Sequence, residues 1–190
     1  MARDTTVPRD QVEDVLDDWP DDPTAVAHTV METYGAPNEA TESRLIWFDN
    51  GPWKYSILYR EGVSHEFPAQ HTDYLEQAID YAVDPDRYDD LGQFDGSVTV
   101  RRTRGELSAE CHGEPANFLA LNLAHDILAG EKTVGEARKA YTEIYARKEA
   151  GGRPEYVQGL KFDLPETDQR DPDEKTLTEE IKQEAEHQVH

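Results

Sequence analysis

The chain has 190 residues and carries 41 acidic against 19 basic side chains, a formal net charge of −22. That excess argues against direct contact with nucleic-acid phosphates, which needs a basic footprint, and the single cysteine, Cys111, rules out an internal disulfide. No apolar run nears the roughly 20 residues that span a bilayer, and residues 1–10 lack the apolar core of an export signal, so no membrane partner is expected and the expected compartment is the cytoplasm.

The acidity has a texture. Only seven of the bases are lysines, and hydrophobic residues make up 36% of the chain. Acid excess with arginine preferred to lysine resembles cytoplasmic proteins of salt-in halophiles. Carboxylates hold water and cations, and molar salt screens their repulsion. The expected surface partners are therefore water and solvent cations, and low salt is expected to loosen the fold. An acidic decoy for basic proteins is the competing reading, but the acids form no single block. Residues 1–40 hold ten acids and two bases, residues 150–190 eleven and five, and residues 113–149 six and five. The ends carry most of the excess around a nearly neutral core.

Two short helices are expected first. Pro8 opens one over 8–18, with Val12, Val15 and Leu16 inward. Asp22 and Pro23 start the second, which carries Val26, Val30 and Met31 and ends at Gly35. Strands follow. Residues 44–49 are rich in β-branched and aromatic residues, and Asp49-Asn50-Gly51-Pro52 is a turn. Trp53, Tyr55, Ile57 and Tyr59 then alternate with polar residues, as on a half-buried strand. Glu61-Gly62 reads as a second turn, leading into a strand over 63–67 that Pro68 stops.

Thr72 or Asp73 reads as the cap of a helix carrying Leu75, Ile79, Ala82 and Val83. Asp84-Pro85 starts a short helical piece with Tyr88, Leu91 and Phe94. A hairpin is expected from 97–102 and 106–111 around Thr103-Arg104-Gly105. Pro115 sits at the start of a long helix that Gly130 ends. Thr133 caps the next, with Glu136 at the capping-box position. From residue 150 the glycines and prolines multiply, and Thr176 with Glu179 suggests a last capped helix bearing a stripe of Leu177, Ile181 and Ala185. The expected architecture is α+β: an antiparallel sheet of about five strands with helices packed on one face. Residues 1–149 form one domain, its first 40 residues helical, and 150–190 an extended arm through which a homo-oligomer could form.

Some short motifs carry a resemblance. Gly51-Pro52-Trp53-Lys54, Tyr59-Arg60, His65 with Phe67-Pro68, and Asn122-Leu123-Ala124-His125-Asp126 together resemble a set of uncharacterised small prokaryotic α+β proteins. The likeness covers about 43–141 and implies no activity.

Four groups carry possible chemistry. His65, His71 and Asp73 put two imidazoles and a carboxylate within nine residues, a ligand set for zinc or iron. His65 would stand on a strand and His71 in a loop, and Cys111 or His112 could add a ligand. The plainer reading makes His65 a strand residue and Asp73 a helix cap. Asn122, His125 and Asp126 share one arc of a helix, where a histidine beside acids can move protons. A solvent-facing stripe explains them equally, apart from Phe118 in their midst. Lys54, Arg60 and Arg101 could converge on an anion, or pair across strands with Glu106 and Glu110. Cys111 reads as a buried structural thiol. There is no phosphate loop, dinucleotide fingerprint or nucleophile elbow. The sequence alone thus favours a small cytoplasmic binding or interaction protein with no evident catalytic motif and no cofactor. The alternative is a metal-binding or acid/base enzyme centred on His65, His71 and Asp73.

Overall fold

The structure is a computed structural model and describes residues 5–189; the first four residues of the stretch read for an export signal lie outside it. The architecture is α+β. Six strands form one antiparallel sheet in the order β1-β2-β3-β4-β6-β5. They are β1 (Glu39–Ala40), β2 (Arg44–Asn50), β3 (Trp53–His65), β4 (His71–Asp80), β5 (Val98–Arg101) and β6 (Glu106–Cys111). The helices are α1 (Arg9–Leu16), α2 (Asp21–Tyr34), α3 (Tyr88–Phe94), α4 (Glu114–Leu128), α5 (Val134–Glu149) and α6 (Glu179–Val189). No helix among the described residues is long and apolar enough to cross a membrane.

The helices cover one face. Pairing sets Leu45 opposite Leu58, Leu58 opposite Leu75, and Leu75 opposite Cys111, so these side chains share a face. At one end Leu45, Trp47, Leu58 and Leu75 pack under α1 and α2 with Val12, Leu16, Ala27, Val30 and Met31. At the other end Ile79, Leu107, Ala109 and Cys111 pack under α3, α4 and α5. Glu114, at the start of α4, joins the two regions: its Oε2 accepts bonds from Trp53 Nε1 (2.7 Å), Tyr34 Oη (2.8 Å) and Gln77 Nε2 (3.0 Å). The capping box of α5 forms as expected, Thr133 with Glu136.

Two expectations in the middle of the chain are corrected. Residues 71–80 form a central strand, not a helix capped by Thr72 or Asp73. Leu75 and Ile79 are four apart, a spacing that suits one face of a helix and, as two strand repeats, one face of a strand. The sheet decides, because β4 pairs on both edges, with β3 and β6. The Glu61-Gly62 turn is instead a bulge inside one long strand: Leu58 pairs with Leu75 but Val63 with Asp73. Gly62 is required there, since a Cβ would stand 2.5 Å from Thr72 Cγ2 and from Tyr74 Cε1. The short β1 brings the strand count to six.

The C-terminal segment is ordered against the body. Leu160, Phe162 and Leu164 pack on the core around α4. Gln169 accepts a bond from the Ala82 N–H (3.1 Å), and Arg102 reaches Asp171 (2.8 Å). Only the last part stands clear: α6 begins at Glu179, capped by Thr178 Oγ1 rather than Thr176, with Leu177 and Ile181 exposed.

This segment buries the expected polar arc of α4. Asn122 and Asp126 are buried, not solvent-facing. Asn122 Nδ2 donates to the carbonyls of Tyr156 (3.0 Å) and Gly159 (2.9 Å), and its Oδ1 accepts from the Lys161 N–H (2.7 Å). Asp126 accepts from Tyr156 Oη (2.9 Å) and pairs with Lys132 (2.9 Å). The His125 ring stacks on Phe162 with centroids 4.1 Å apart, and its Nδ1 meets Tyr81 Oη at 2.9 Å. Phe118, the odd residue of the arc, stacks on Trp53 instead. Asn122→Ala removes three bonds from part-buried backbone groups, so stability should fall by about 1–3 kcal/mol. Limited proteolysis should then release the segment faster than from wild type.

Candidate metal centre

The β3–β4 hairpin builds the site. His65, the last residue of β3, sits directly opposite His71, the first of β4. Asp73 lies two residues further along β4, on the same face as His71. The three donor groups lie within 4.8 Å of one another. His65 Nδ1 stands 3.0 Å from Asp73 Oδ2, and His71 Nε2 stands 3.0 Å from Asp73 Oδ1. The two ring centroids are 5.0 Å apart, and the carboxylate bridges one nitrogen of each ring. Asp73 is only 4% exposed.

The hydrogen-bond roles are fixed from outside the cluster. His71 Nδ1 lies 2.7 Å from the Ala69 carbonyl oxygen. A carbonyl only accepts, so this nitrogen carries the proton. In the neutral ring Nε2 is then a bare acceptor, and it faces a second acceptor, Asp73 Oδ1. Neither Asp73 Oδ1 nor His65 Nδ1 makes a hydrogen bond, although both are buried. Buried polar atoms are almost always paired. A bare nitrogen of His71, an uncommitted nitrogen of His65 and the Asp73 carboxylate, turned toward one another, make a cradle for a cation. Neighbouring donors around a tetrahedral zinc ion sit roughly 3.3–3.6 Å apart, given metal–ligand distances of about 2.0–2.2 Å. Each histidine stands 3.0 Å from one Asp73 oxygen and the whole set lies within 4.8 Å, so small side-chain shifts would bring the donors to that spacing.

The surroundings are acidic and partly dry. Burial raises Asp73 above the usual carboxylate range, against the pull of His71 and His65. Asp95, at the end of α3, is 1% exposed and lies 3.7 Å from His65 Nε2. The His112 ring meets His71 edge-on at 5.5 Å. Burial, with Lys148 and His71 nearby, pushes His112 down to about 4, so it stays neutral. A cleft of about 320 Å³ opens beside the cluster, lined by His65, Asp73, Ser64, Ser97, Thr99 and Glu110 among others.

Glu110 lines the cleft, although its place on an alternating strand suggests only a pairing partner for a basic residue. Burial first, then the charges of Glu76 and Asp73, push its carboxyl up to about 7. Its unfolded value lies near 4.3, so the folded chain holds the proton more tightly. The ionised group therefore costs stability as pH rises from about 4 to 7, and in full above that. Discounted for its half-exposed position, the cost is about 1–2 kcal/mol. Glu110→Gln should raise the melting temperature of the metal-free protein at pH 8 and leave it unchanged at pH 4.

The other sequence candidates fall elsewhere. Lys54 and Arg101 do meet, but around Glu106 (3.1 and 3.8 Å). Lys54 also pairs with Asp80 (2.6 Å), and Arg101 donates to Tyr55 Oη (2.6 Å) and Glu76 (3.3 Å). Their charges are thus met by carboxylates, the plainer cross-strand reading. Arg60 stands six residues along β3 from Lys54, roughly 20 Å of strand, and bonds through its main chain to Ser43. Cys111 is buried, and burial beside Asp95 and Asp73 raises its thiol far above the ordinary range, so it is not a reactive thiolate. Asn122, His125 and Asp126 bind the C-terminal segment rather than the cleft.

No protein-family model, curated protein or solved structure matches this chain. Its reading rests on the fold and on this cluster.

Proposed function

We propose that this is a metal-dependent protein in which His65, His71 and Asp73 hold one divalent transition-metal ion, zinc or iron. The observation that carries the proposal is the His71 ring: its Nδ1–H is committed to Ala69, which leaves Nε2 as an acceptor facing the Asp73 carboxylate at 3.0 Å. A cation resolves that meeting of acceptors, and two imidazoles with a carboxylate suit zinc and non-haem iron.

Three protein ligands also favour a catalytic site over a structural one. Structural zinc is closed by four protein ligands, whereas catalytic zinc keeps a position for water or substrate. The cleft beside His65 and Asp73 gives that position an approach. Zinc would supply a water that ionises near pH 7, which makes hydrolysis or hydration the reaction class that suits the site. This reading takes precedence over the non-catalytic binding protein that the sequence alone favours, because the cluster provides a chemical site. The acidic ends support work in a salt-rich cytoplasm.

Elemental analysis of protein purified in molar salt tests the proposal. One transition-metal ion per chain, lost in His71→Ala while the fold persists by circular dichroism, is the expected result. A chain that takes up neither zinc nor iron would overturn it.

A further inference from the structure

Building on that centre, we propose that Asp95 is a positioning residue: it holds the His65 ring so that Nδ1, and not Nε2, is presented to the metal. The two nitrogens of His65 face two different carboxylates, Nδ1 toward Asp73 at 3.0 Å and Nε2 toward Asp95 at 3.7 Å. The second separation is longer than a hydrogen bond, so in the metal-free fold His65 is not committed. An ion held against Asp73 takes the Nδ1 lone pair and forces the proton onto Nε2. That N–H then points at Asp95, and a small ring movement closes the bond.

Asp95 is built for this part. It is 1% exposed. Its Oδ1 is anchored by the Ser97 N–H (2.9 Å) and Ser97 Oγ (2.8 Å). Its Oδ2 is buried without any hydrogen-bond partner. The oxygen 3.7 Å from His65 Nε2 is Oδ1; the unpaired Oδ2 shows that this buried carboxylate is short of donors. The other ring is already fixed in the matching way, since His71 donates its non-ligating Nδ1–H to Ala69. Metal-binding histidines nearly always give their second N–H to a carboxylate or a backbone carbonyl. With Asp95 included, this hairpin offers one of each.

Asp95 lies 22 residues from Asp73 in sequence, in an Asp95-Gly96 pair that reads as an ordinary turn. The end of α3, where Asp95 caps the helix by donating its N–H to Leu91, brings it under β3.

The test uses full-length protein loaded with zinc in molar salt. Long-range proton–nitrogen NMR should find the His65 ring protonated at Nε2 and metal-bound at Nδ1; this measurement needs no variant. In Asp95→Asn, zinc affinity measured by chelator competition should fall by about 10–100-fold, with one ion still bound at saturation. A purely structural Asp95 would lower the melting temperature without changing which nitrogen holds the ion. Zinc bound through Nε2 in wild type, or unchanged affinity in a folded Asp95→Asn variant, overturns the role of Asp95 alone. Wild-type protein that takes up no zinc overturns the centre and this role with it.

Discussion

Zinc added to the metal-free protein in molar potassium chloride should raise its melting temperature by about 5–10 °C once the free ion is about a hundred times its dissociation constant. A ligand that binds only the folded state stabilises it by about 2.7 kcal/mol at that concentration. For a chain of 150–250 residues each kcal/mol moves the midpoint by roughly 2–4 °C. The assumption that the unfolded chain binds weakly has a structural basis. His65 and His71 face each other only through the antiparallel register of β3 and β4, and Asp73 joins them only because strand alternation returns it to the same side. Unfolding dissolves both relations. Asp73→Ala removes the group that lies between the two rings and should abolish the shift. Excess chelator should reverse it in wild type. A midpoint that ignores zinc would count against the centre.

Glu114→Ala should destabilise the fold by about 3 kcal/mol, or roughly 6–12 °C, a loss comparable to truncating a core side chain. Three donors end on one carboxylate oxygen, and two belong to fully buried residues, Trp53 and Gln77. Bonds to a charged group are worth about 1.5–3 kcal/mol each, and a buried donor left without its acceptor costs about 1–3 kcal/mol; the three are not additive because water from the nearby crevice will reach part of the gap. The charge matters as well as the position. Burial and the Glu114 carboxylate raise the Tyr34 hydroxyl above its ordinary range, so it remains a donor at any working pH. Glu114→Gln keeps an acceptor oxygen and loses the charge, and should fall between wild type and the alanine variant. Equilibrium unfolding in a fixed salt concentration measures both. A loss below about 1 kcal/mol for the alanine variant would show that the three donors find water readily.

Both predictions involve residues whose chemistry was legible and whose geometry was not. His65, His71 and Asp73 stand out in the sequence because two imidazoles and a carboxylate within nine residues make a ligand set. Their elements are not legible in the same way: local pattern puts His71 in a loop and Asp73 at a helix cap, because Leu75 and Ile79 at a spacing of four satisfy both periods. Had the segment been helical, His71 would not have faced His65 across a ladder. Asp95 and Glu110 gave weaker signals, one in a turn dipeptide and one in an alternating strand. Glu110 reaches the cleft and Asp95 the His65 ring through contacts between strands and helices far apart in sequence.

The same division runs through the whole molecule. The sequence by itself determined the α+β class, the helices at both ends of the sheet, the β5–β6 hairpin and the Thr133 capping box, because these depend on local periodicity and on turn and cap chemistry. It also determined the acidic character and which residue types could bind a metal. Tertiary structure alone decided that residues 71–80 form the central strand, that Asn122 and Asp126 are buried under the C-terminal segment, and that Lys54 and Arg101 meet carboxylates instead of an anion. Each outcome depends on which distant segment supplies the partner for a polar or apolar face. The proposed metal centre belongs to both levels: its candidate ligands are written in nine residues, and the register of one hairpin brings them together.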